Sequence, residues 1–549
     1  MSATEKPWVK HYAGFTEPET EIPEGSLVDL LREAVDEHSD KTAITFYGRE
    51  ISFQGLGQMV EGLAGALHEN GVQKGDRVAV MLPNCPQYVI SFFATVRLGA
   101  TVTQLNPMYV EREIEHILRD SGAKKVVVYA DMYPRVKAVQ SGTDVDEIIV
   151  VDLQGTAEIQ EGDSLFDDYL QSATGAAPEV ELDPGEDLAA LQYTGGTTGV
   201  SKGAMLTHRN LIANVSQTLD MFIDDEDAFS DNQKIVGVLP YFHIFGLTCV
   251  MMFGIRQGLN QLLVPRFEAQ EMAELVKREE PVMFAAVPTM YMGLSAFEDL
   301  ESYGFDKIRT YNSGGSALPV ELARSFEKKT GKTLYEGYGL SEASPVTHFN
   351  PPFLGDNREG SIGVPIPSTD SKIVDSETGD REMPVGEPGE LVIKGPQVMK
   401  GYWGMPEETE NTLRDGWLHT GDVARMDEEG YFYIVDRKKD IILASGYNVY
   451  PREIEEVLFE HPGVSEAVAV GVPDEYRGET VKAFVVRLGG GETTEEEILD
   501  FCKERLAPYK VPKSVEFREE LPKSTVGKLL RRVLADEEEA KASSPPSPS

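Results

Sequence analysis

Short apolar runs rich in β-branched residues recur through the first four hundred residues, separated by stretches with helical spacing. Arg77 to Leu82, Val126 to Tyr129, Ile148 to Val151, Ile235 to Leu239 and Met283 to Val287 read as buried strands. Ser91 to Leu98 and Glu111 to Ser121 lie between them and read as helices. This alternation predicts an α/β fold with layered, mostly parallel sheets in a large N-terminal region of several subdomains. The pattern changes near residue 436. Gly430 to Val435 reads as a strand and is followed by the charged run Asp436-Arg437-Lys438-Lys439-Asp440. The next hundred residues carry their own α+β pattern: a helix over Pro451 to Glu460, strands over Val464 to Val472 and Thr480 to Val486, and a helix over Thr494 to Leu506. The expected divisions are an N-terminal extension (1–24), a large domain (25–435), a small C-terminal domain (436–535) and a tail (536–549). The tail is acidic and then Ser/Pro-rich, so it is expected to be disordered.

One loop breaks the apolar pattern conspicuously. In Tyr193-Thr194-Gly195-Gly196-Thr197-Thr198-Gly199-Val200-Ser201-Lys202-Gly203, four glycines keep Cβ atoms away while four hydroxyls and a lysine supply donors. That combination suits a polyphosphate. The apolar run Leu188 to Tyr193 enters the loop and a helix-like segment, Met205 to Val215, leaves it, so the expectation is a strand–loop–helix cradle. It is not a Walker A loop, because Lys202 precedes Gly203 and follows Ser201. Gly331-Lys332-Thr333 does not supply one either, since Phe326 stands where the upstream glycine is needed.

Composition narrows the setting. With 549 residues the chain can bury a large core. No apolar run approaches the ~20 residues that span a bilayer, and no basic start with an apolar core marks a secretory signal. Cys85, Cys249 and Cys502 are far apart without ligand spacing, which fits a reducing cytoplasm rather than a disulfide framework. The net charge of −41 excludes nucleic acid and anionic membrane as default partners. Because the acidic excess is spread along the chain, adaptation to high salt is an expectation alongside a plain solvated surface.

Five further clusters carry candidate chemistry. Pro240-Tyr241-Phe242-His243-Ile244-Phe245-Gly246 sets a histidine among aromatics at a strand end. Tyr311-Asn312-Ser313-Gly314-Gly315-Ser316 opens a strand into small residues that let a flat ring or acyl chain approach. Gly337-Tyr338-Gly339-Leu340-Ser341-Glu342 offers a stacking aromatic and a carboxylate suited to Mg²⁺. Trp417-Leu418-His419-Thr420-Gly421-Asp422, with Arg437 fifteen residues on, offers an Asp–Arg grip for ribose hydroxyls. Leu521-Pro522-Lys523-Ser524-Thr525-Val526-Gly527-Lys528 places a lysine after a glycine, in a stretch (503–532) with nine Lys/Arg against four Asp/Glu. Against so acidic a chain, that reversal predicts an anion nearby.

Together these clusters resemble the adenylate-forming superfamily of acyl-CoA synthetases, luciferases and nonribosomal adenylation domains, over roughly residues 25 to 535. The cradle, the box ending in Glu342, Thr420-Gly421-Asp422, the Asp436–Asp440 run and Lys528 occur in the family's order and spacing. Within it, the double glycine Gly195-Gly196, the Pro240–Gly246 box and Ser445-Gly446-Tyr447-Asn448-Val449-Tyr450-Pro451 look most like bacterial-type long-chain fatty acid–CoA ligases.

The resemblance implies a two-step reaction: a carboxylate attacks the α-phosphorus of ATP to give acyl-AMP and pyrophosphate, and a thiol of coenzyme A then takes the acyl group. It implies that the nucleotide is held by Thr194, Gly195, Gly196, Thr197, Thr198 and Lys202 at the phosphates. Tyr338 would stack on adenine, with Gly315, Glu336, Gly337 and Ser341 nearby. Asp422 and Arg437 would grip the ribose, with Lys439 in the same site. Glu342 and Thr194 would hold Mg²⁺. Lys528 would bridge the acyl carboxylate and the α-phosphate. Tyr241, Phe245 and Gly314 would form the acyl pocket, and His243 would serve thioester formation. The C-terminal domain would be mobile about a hinge at Asp436, bringing Ser445 and Gly446 to the pantetheine. Arg266, where family members often carry Lys, would meet a CoA phosphate.

Two other readings stand beside this one: an aryl, branched-chain or medium-chain acid ligase on the same scaffold, and a non-catalytic acyl-AMP or fatty-acid binding protein. Retention of Lys202, Glu342, Asp422, Arg437 and Lys528 together argues against the second. The sequence fixes neither chain length nor oligomeric state. A homodimer and peripheral membrane contact are both compatible with it.

Overall fold

The computed structural model describes residues 6–194, 201–222, 233–351, 357–444, 447–474, 478–524 and 527–543. Two large sheets organise the N-terminal region. One runs Ser164–Leu165, Glu147–Val151, Lys125–Tyr129, Arg77–Met81, Thr101–Gln104, Leu188–Thr194, Lys202–Thr207 in spatial order. Its pairings are parallel up to Leu188–Thr194, which pairs antiparallel with Lys202–Thr207. The other is parallel from Leu334–Gly339 through Thr310–Ser313, Met283–Ala286, Lys234–Gly237 and Asn260–Leu263 to Thr42–Phe46, with antiparallel strands at both edges. Parallel strands covered on both faces must be apolar throughout. Arg77–Met81 and Met283–Ala286 are accordingly buried along nearly their whole length, which is why they stand out in the sequence.

The helix Pro86–Arg97 is buried on all sides, and its Phe92 and Phe93 belong to a single core with residues of both sheets, such as Val78, Val236 and Phe284. The opposite face of the first sheet is covered by the helix Glu111–Ser121, whose Ile114, Ile117 and Leu118 pack on Ala79, Met81, Val126 and Val128. A third, antiparallel sheet contains Gly389–Lys394, Trp417–Met426 and Phe432–Arg437. Asp436, at the expected domain boundary, is buried in the last of these strands. Beyond it, Ile442–Ala444, Gly478–Arg487, Val464–Asp474 and Ser514–Arg518 form a small sheet with its own core, which includes Ile454, Ala483 and Ile498.

Two local expectations are corrected. Met205 to Val215 is not one helix. Lys202–Thr207 is a strand, because its backbone completes the antiparallel ladder with Leu188–Thr194. The helix, His208–Phe222, begins where Thr207 Oγ1 accepts the Asn210 N–H and Asn210 Oδ1 accepts the Thr207 N–H. The first part of the tail belongs to the helix Arg531–Ser543, and 544–549 lie outside the described residues. Leu534 buries against Val468, Val470 and Phe484, and Arg518 pairs with Glu537. Among the described residues no helix is long and apolar enough to cross a membrane.

Candidate active site

A cavity of about 1070 Å³ lies where the second sheet, the third sheet and the C-terminal domain meet. Most of the expected site residues among those described line it. Thr194 and Lys202 face it from the two ends of the cradle. Gly314 and Gly315 follow the strand Thr310–Ser313, while Glu336, Gly337 and Tyr338 lie in the neighbouring strand and Ser341 and Glu342 follow it. Asp422, Asp436, Arg437 and Lys439 reach it from the third sheet and its exit, His243 and Phe245 from the aromatic box, and Lys528 from the C-terminal domain. Gly195, Gly196, Thr197, Thr198, Ser445 and Gly446 lie outside the described residues.

Two residues fall elsewhere. Tyr241 does not line the cavity. It is fully buried, its hydroxyl donates to Gln261 Oε1 at 2.7 Å, and its backbone N–H donates to Asn84 Oδ1. In a run of aromatics at a strand end, neighbouring side chains face different ways, and this one points into the core. Arg266 is a surface residue, 85% exposed and paired with Glu268 at 3.3 Å, outside the cavity lining.

Asp422 and Arg437 are cross-strand partners, so the ladder itself sets them side by side, with Arg437 Nε 3.5 Å from Asp422 Oδ1. The Tyr338 hydroxyl donates to Asp422 Oδ2 at 2.6 Å. Burial, reinforced by the Asp422 charge, pushes that phenol well above its ordinary range. The ring is thereby fixed as a neutral platform beside a carboxylate with one edge already satisfied. Behind it, Glu390 Oε1 accepts the Gly421 N–H at 3.1 Å, and Thr420 Oγ1 accepts the Asp422 N–H. No sequence motif marks Glu390, whose neighbours His419 at 3.3 Å and Lys438 at 3.4 Å lie within two of the motifs but carry no expected role there.

Glu336, which lines the cavity, also faces the C-terminal domain. Its Oε1 accepts the Leu318 N–H and faces Arg452 of the C-terminal domain at 3.8 Å. Burial raises its carboxyl to about 7, against the pull of the guanidinium. Arg452 also donates from its backbone N–H to Asp436 Oδ2, and Arg531 ties Asp436 to Asp440 and Glu455. Glu336 is thus in ion-pairing distance of the C-terminal domain. Arg452, Glu455 and Arg531 carry no motif that could have announced this.

The basic stretch 503–532 finds its anions within the protein. Lys510 pairs with Glu453, Lys513 with Asp474, Lys523 with Glu466 and Arg518 with Glu537. Lys528 is the exception: no carboxylate lies within ion-pairing distance of it among the described residues. Its loop is closed by the Ser524 N–H donating to the Lys528 carbonyl at 2.7 Å and the Lys528 N–H donating to Ser524 Oγ. Half-buried at the cavity wall, its ammonium is lowered to about 7 by desolvation and then by the Arg437 guanidinium. Burial and, after it, the Lys528 charge hold His243 down at about 4. With His243 Nδ1 accepting the Phe245 N–H at 3.3 Å, the neutral ring carries its proton on Nε2.

An unpaired cation held this way costs stability. The Lys528 pKa in the fold, about 7, lies below the ordinary 10.5. The penalty is therefore full below pH 7 and fades as pH rises toward 10.5. A Lys528→Met variant is expected to melt above the parent at pH 7, the gap closing as pH rises. A variant that melts lower at pH 7 contradicts the assignment.

Residues 31–403 match the family described as AMP-binding enzyme, and residues 453–528 match the AMP-binding enzyme C-terminal domain. A long-chain-fatty-acid–CoA ligase of Bacillus subtilis is 46% identical over 97% of this chain and 98% of its own length. One from Escherichia coli O6:H1 is 41% identical, over 94% and 95%. Among solved structures, ATP-bound MatB from Rhodopseudomonas palustris superposes with a TM-score of 0.84 at 32% identity, covering 93% of this chain and 98% of that one. The lysine, the Asp422–Tyr338–Arg437 cluster and the C-terminal domain that border one cavity thus occur on a fold shared along nearly the whole chain. The chain belongs to the AMP-binding enzyme family.

Proposed function

We propose that this chain is an ATP-dependent acid–thiol ligase that converts a long-chain fatty acid to its CoA thioester through an acyl-AMP. The observation that carries this is Lys528, which among the described residues has no carboxylate within ion-pairing distance, in one cavity with the Asp422–Tyr338–Arg437 cluster. The names of the relatives support the fatty-acid substrate.

In this reading adenine lies against Tyr338, and the ribose hydroxyls lie between Asp422 and Arg437. Lys202 takes the terminal phosphates. Phe245 and Gly314 border the acyl chain, with Phe222, Cys249 and Met283 further along the same cavity. A carboxylate oxygen of the acid bonds to the α-phosphorus, the bond to the bridging oxygen breaks, and pyrophosphate leaves with that electron pair. Lys528 faces the charge that gathers on the carboxylate and α-phosphate, in a site where water no longer screens it.

Glu342 and Thr194 present hard oxygens that suit Mg²⁺, and Glu342 Oε2 has no protein partner among the described residues, its Oε1 being held by Tyr402. When bound, the ion would neutralise charge on the leaving phosphates. For the second step the C-terminal domain turns at Asp436, withdrawing Lys528 and bringing Ser445 and Gly446 to the pantetheine, with Arg266 at a CoA phosphate. The thiol sulfur bonds to the acyl carbon, AMP departs, and the thiol proton passes to solvent, with the His243 Nε2–H free to donate nearby.

Pyrophosphate release across saturated acids of graded chain length and aryl acids, each with and without CoA, tests the substrate. Long-chain acids should give the largest kcat/KM. An aryl acid at the top would instead support the aryl-ligase reading. We also infer adaptation to high salt from the net charge of −41. The melting temperature should fall as salt is removed and self-repulsion loses its screening, whereas an unchanged melt at low salt would sink that inference.

A further inference from the structure

Lys202 does not stand free in the cavity. Its Nζ is paired with Glu408 Oε1, on the short helix Pro406–Thr412, and lies 5.3 Å above the ring of Tyr402. Tyr402 in turn donates its hydroxyl to Glu342 Oε1 at 2.7 Å. Its backbone N–H donates to Thr409 Oγ1 at 2.9 Å, which ties it to the helix that carries Glu408. The four side chains therefore form one chain of contacts, Glu408–Lys202–Tyr402–Glu342, along the cavity wall. The two ends of the ion pair are unequal. The Lys202 side chain is 12% exposed and Glu408 40% exposed. The lysine is held over the ring and shielded, while the carboxylate reaches water and can swing out into it, leaving the ammonium to the incoming phosphates.

We propose that Glu408 is an internal competitor of the terminal phosphates of ATP for Lys202. It holds the lysine in place before the nucleotide arrives, gives it up to the triphosphate, and takes it back as pyrophosphate departs. A single carboxylate loses to the multiply charged phosphates while they are bound, so it delays neither binding nor chemistry by much. Once the α–β bond has broken, the same carboxylate weakens the hold on the leaving pyrophosphate. The Tyr402 link keeps the Lys202 ammonium and Glu342 at a fixed separation through the exchange. Glu408 is in this sense a positioning residue that acts through Lys202. The inference rests on Lys202 serving the terminal phosphates.

The test compares the KM for ATP and the product-inhibition constant for pyrophosphate in the parent, Glu408→Gln, Glu408→Asp and Lys202→Ala, with Glu408→Gln also made in the Lys202→Ala background. Removing the competing charge should lower both constants together by about two- to fivefold in Glu408→Gln, the span expected for a partly exposed ion pair. Glu408→Asp, which keeps the charge, should stay near the parent. In the Lys202→Ala background the glutamine should change neither constant. If Glu408→Gln leaves both constants unchanged or raises them while Lys202→Ala raises the KM for ATP, the competitor role is wrong and the phosphate role of Lys202 stands. If Lys202→Ala leaves the KM for ATP untouched, that role fails and the inference falls with it. Melting curves of the single variants, expected to overlie the parent, separate both results from a loss of folding.

Discussion

Lys528→Ala is expected to abolish acid-dependent pyrophosphate release while leaving conversion of supplied acyl-AMP and CoA to acyl-CoA close to the parent rate. The loss should reach at least about 10²- to 10³-fold, the effect of removing one preorganised donor from a developing oxyanion, since here a full charge is removed from a water-poor site. The asymmetry between the two half-reactions matters more than the size of the loss. A residue that merely held the C-terminal domain in the fold would cost both steps alike. In the proposed cycle Lys528 serves the first step alone, because its loop leaves the cavity before the second. The pH dependence follows from the same residue. With its ammonium at about 7 in the free enzyme, kcat/KM for adenylation should fall as pH rises through that value and Lys528 loses its proton. Lys528→Ala should lack this limb. Equal losses in both half-reactions would count against the role given to Lys528.

The second large effect is expected at the neighbouring Gly527. Its φ is +73°, in the left-handed region, and a Cβ there would lie 2.2 Å from Thr289 Oγ1 and 3.1 Å from Val287. Thr289 belongs to the N-terminal domain, so the glycine is the point at which the Lys528 loop seats against it. Gly527→Ala should lift the loop by a fraction of an ångström to an ångström and lower adenylation by about 10²-fold, the usual penalty for a misplacement of that order. Thioester formation from acyl-AMP should be spared. Adding Thr289→Ala removes the clash and should recover most of the rate. What remains is the tight approach to Val287 and the left-handed strain, about 1–2 kcal/mol for a non-glycine residue. No recovery in the double variant would show that the contact with Thr289 is not what seats the loop.

Much of this architecture is legible in the sequence because the large domain is built from parallel strands buried on both faces, such as Arg77–Met81 and Met283–Ala286, and a buried strand must be apolar throughout. The misreadings have equally physical causes. Met205 to Val215 has helical residue types, but the segment up to Thr207 is recruited as an edge strand by Leu188–Thr194, and tertiary pairing overrides local preference. The Thr207–Asn210 exchange was the signal that placed the helix start later. The acidic tail reads as disordered by composition, yet Leu534 alone gives the helix Arg531–Ser543 a buried anchor, and Glu537 and Glu538 find Arg518 and Lys482.

In the site, the residues on contiguous motifs stood out, because Gly337 to Glu342 or Thr420 to Asp422 carries its whole chemistry within a few positions. Tyr402, Glu408, Arg452 and Glu390 did not. Each acts through a partner tens to hundreds of residues away, Glu408 through Lys202 and Arg452 through Glu336, and no local pattern marks such a pair. Tyr241 was misplaced for the converse reason: it sits inside an active-site box, but its side chain turns into the core.

The account turns on an acyl-AMP formed before CoA takes part. Exchange of labelled pyrophosphate into ATP tests it most directly, measured with a long-chain fatty acid and without CoA. Exchange that depends on the acid, proceeds in the absence of CoA and disappears in Lys528→Ala is the predicted result. Exchange that requires CoA, or a reaction that forms ADP and phosphate in place of AMP and pyrophosphate, would contradict it.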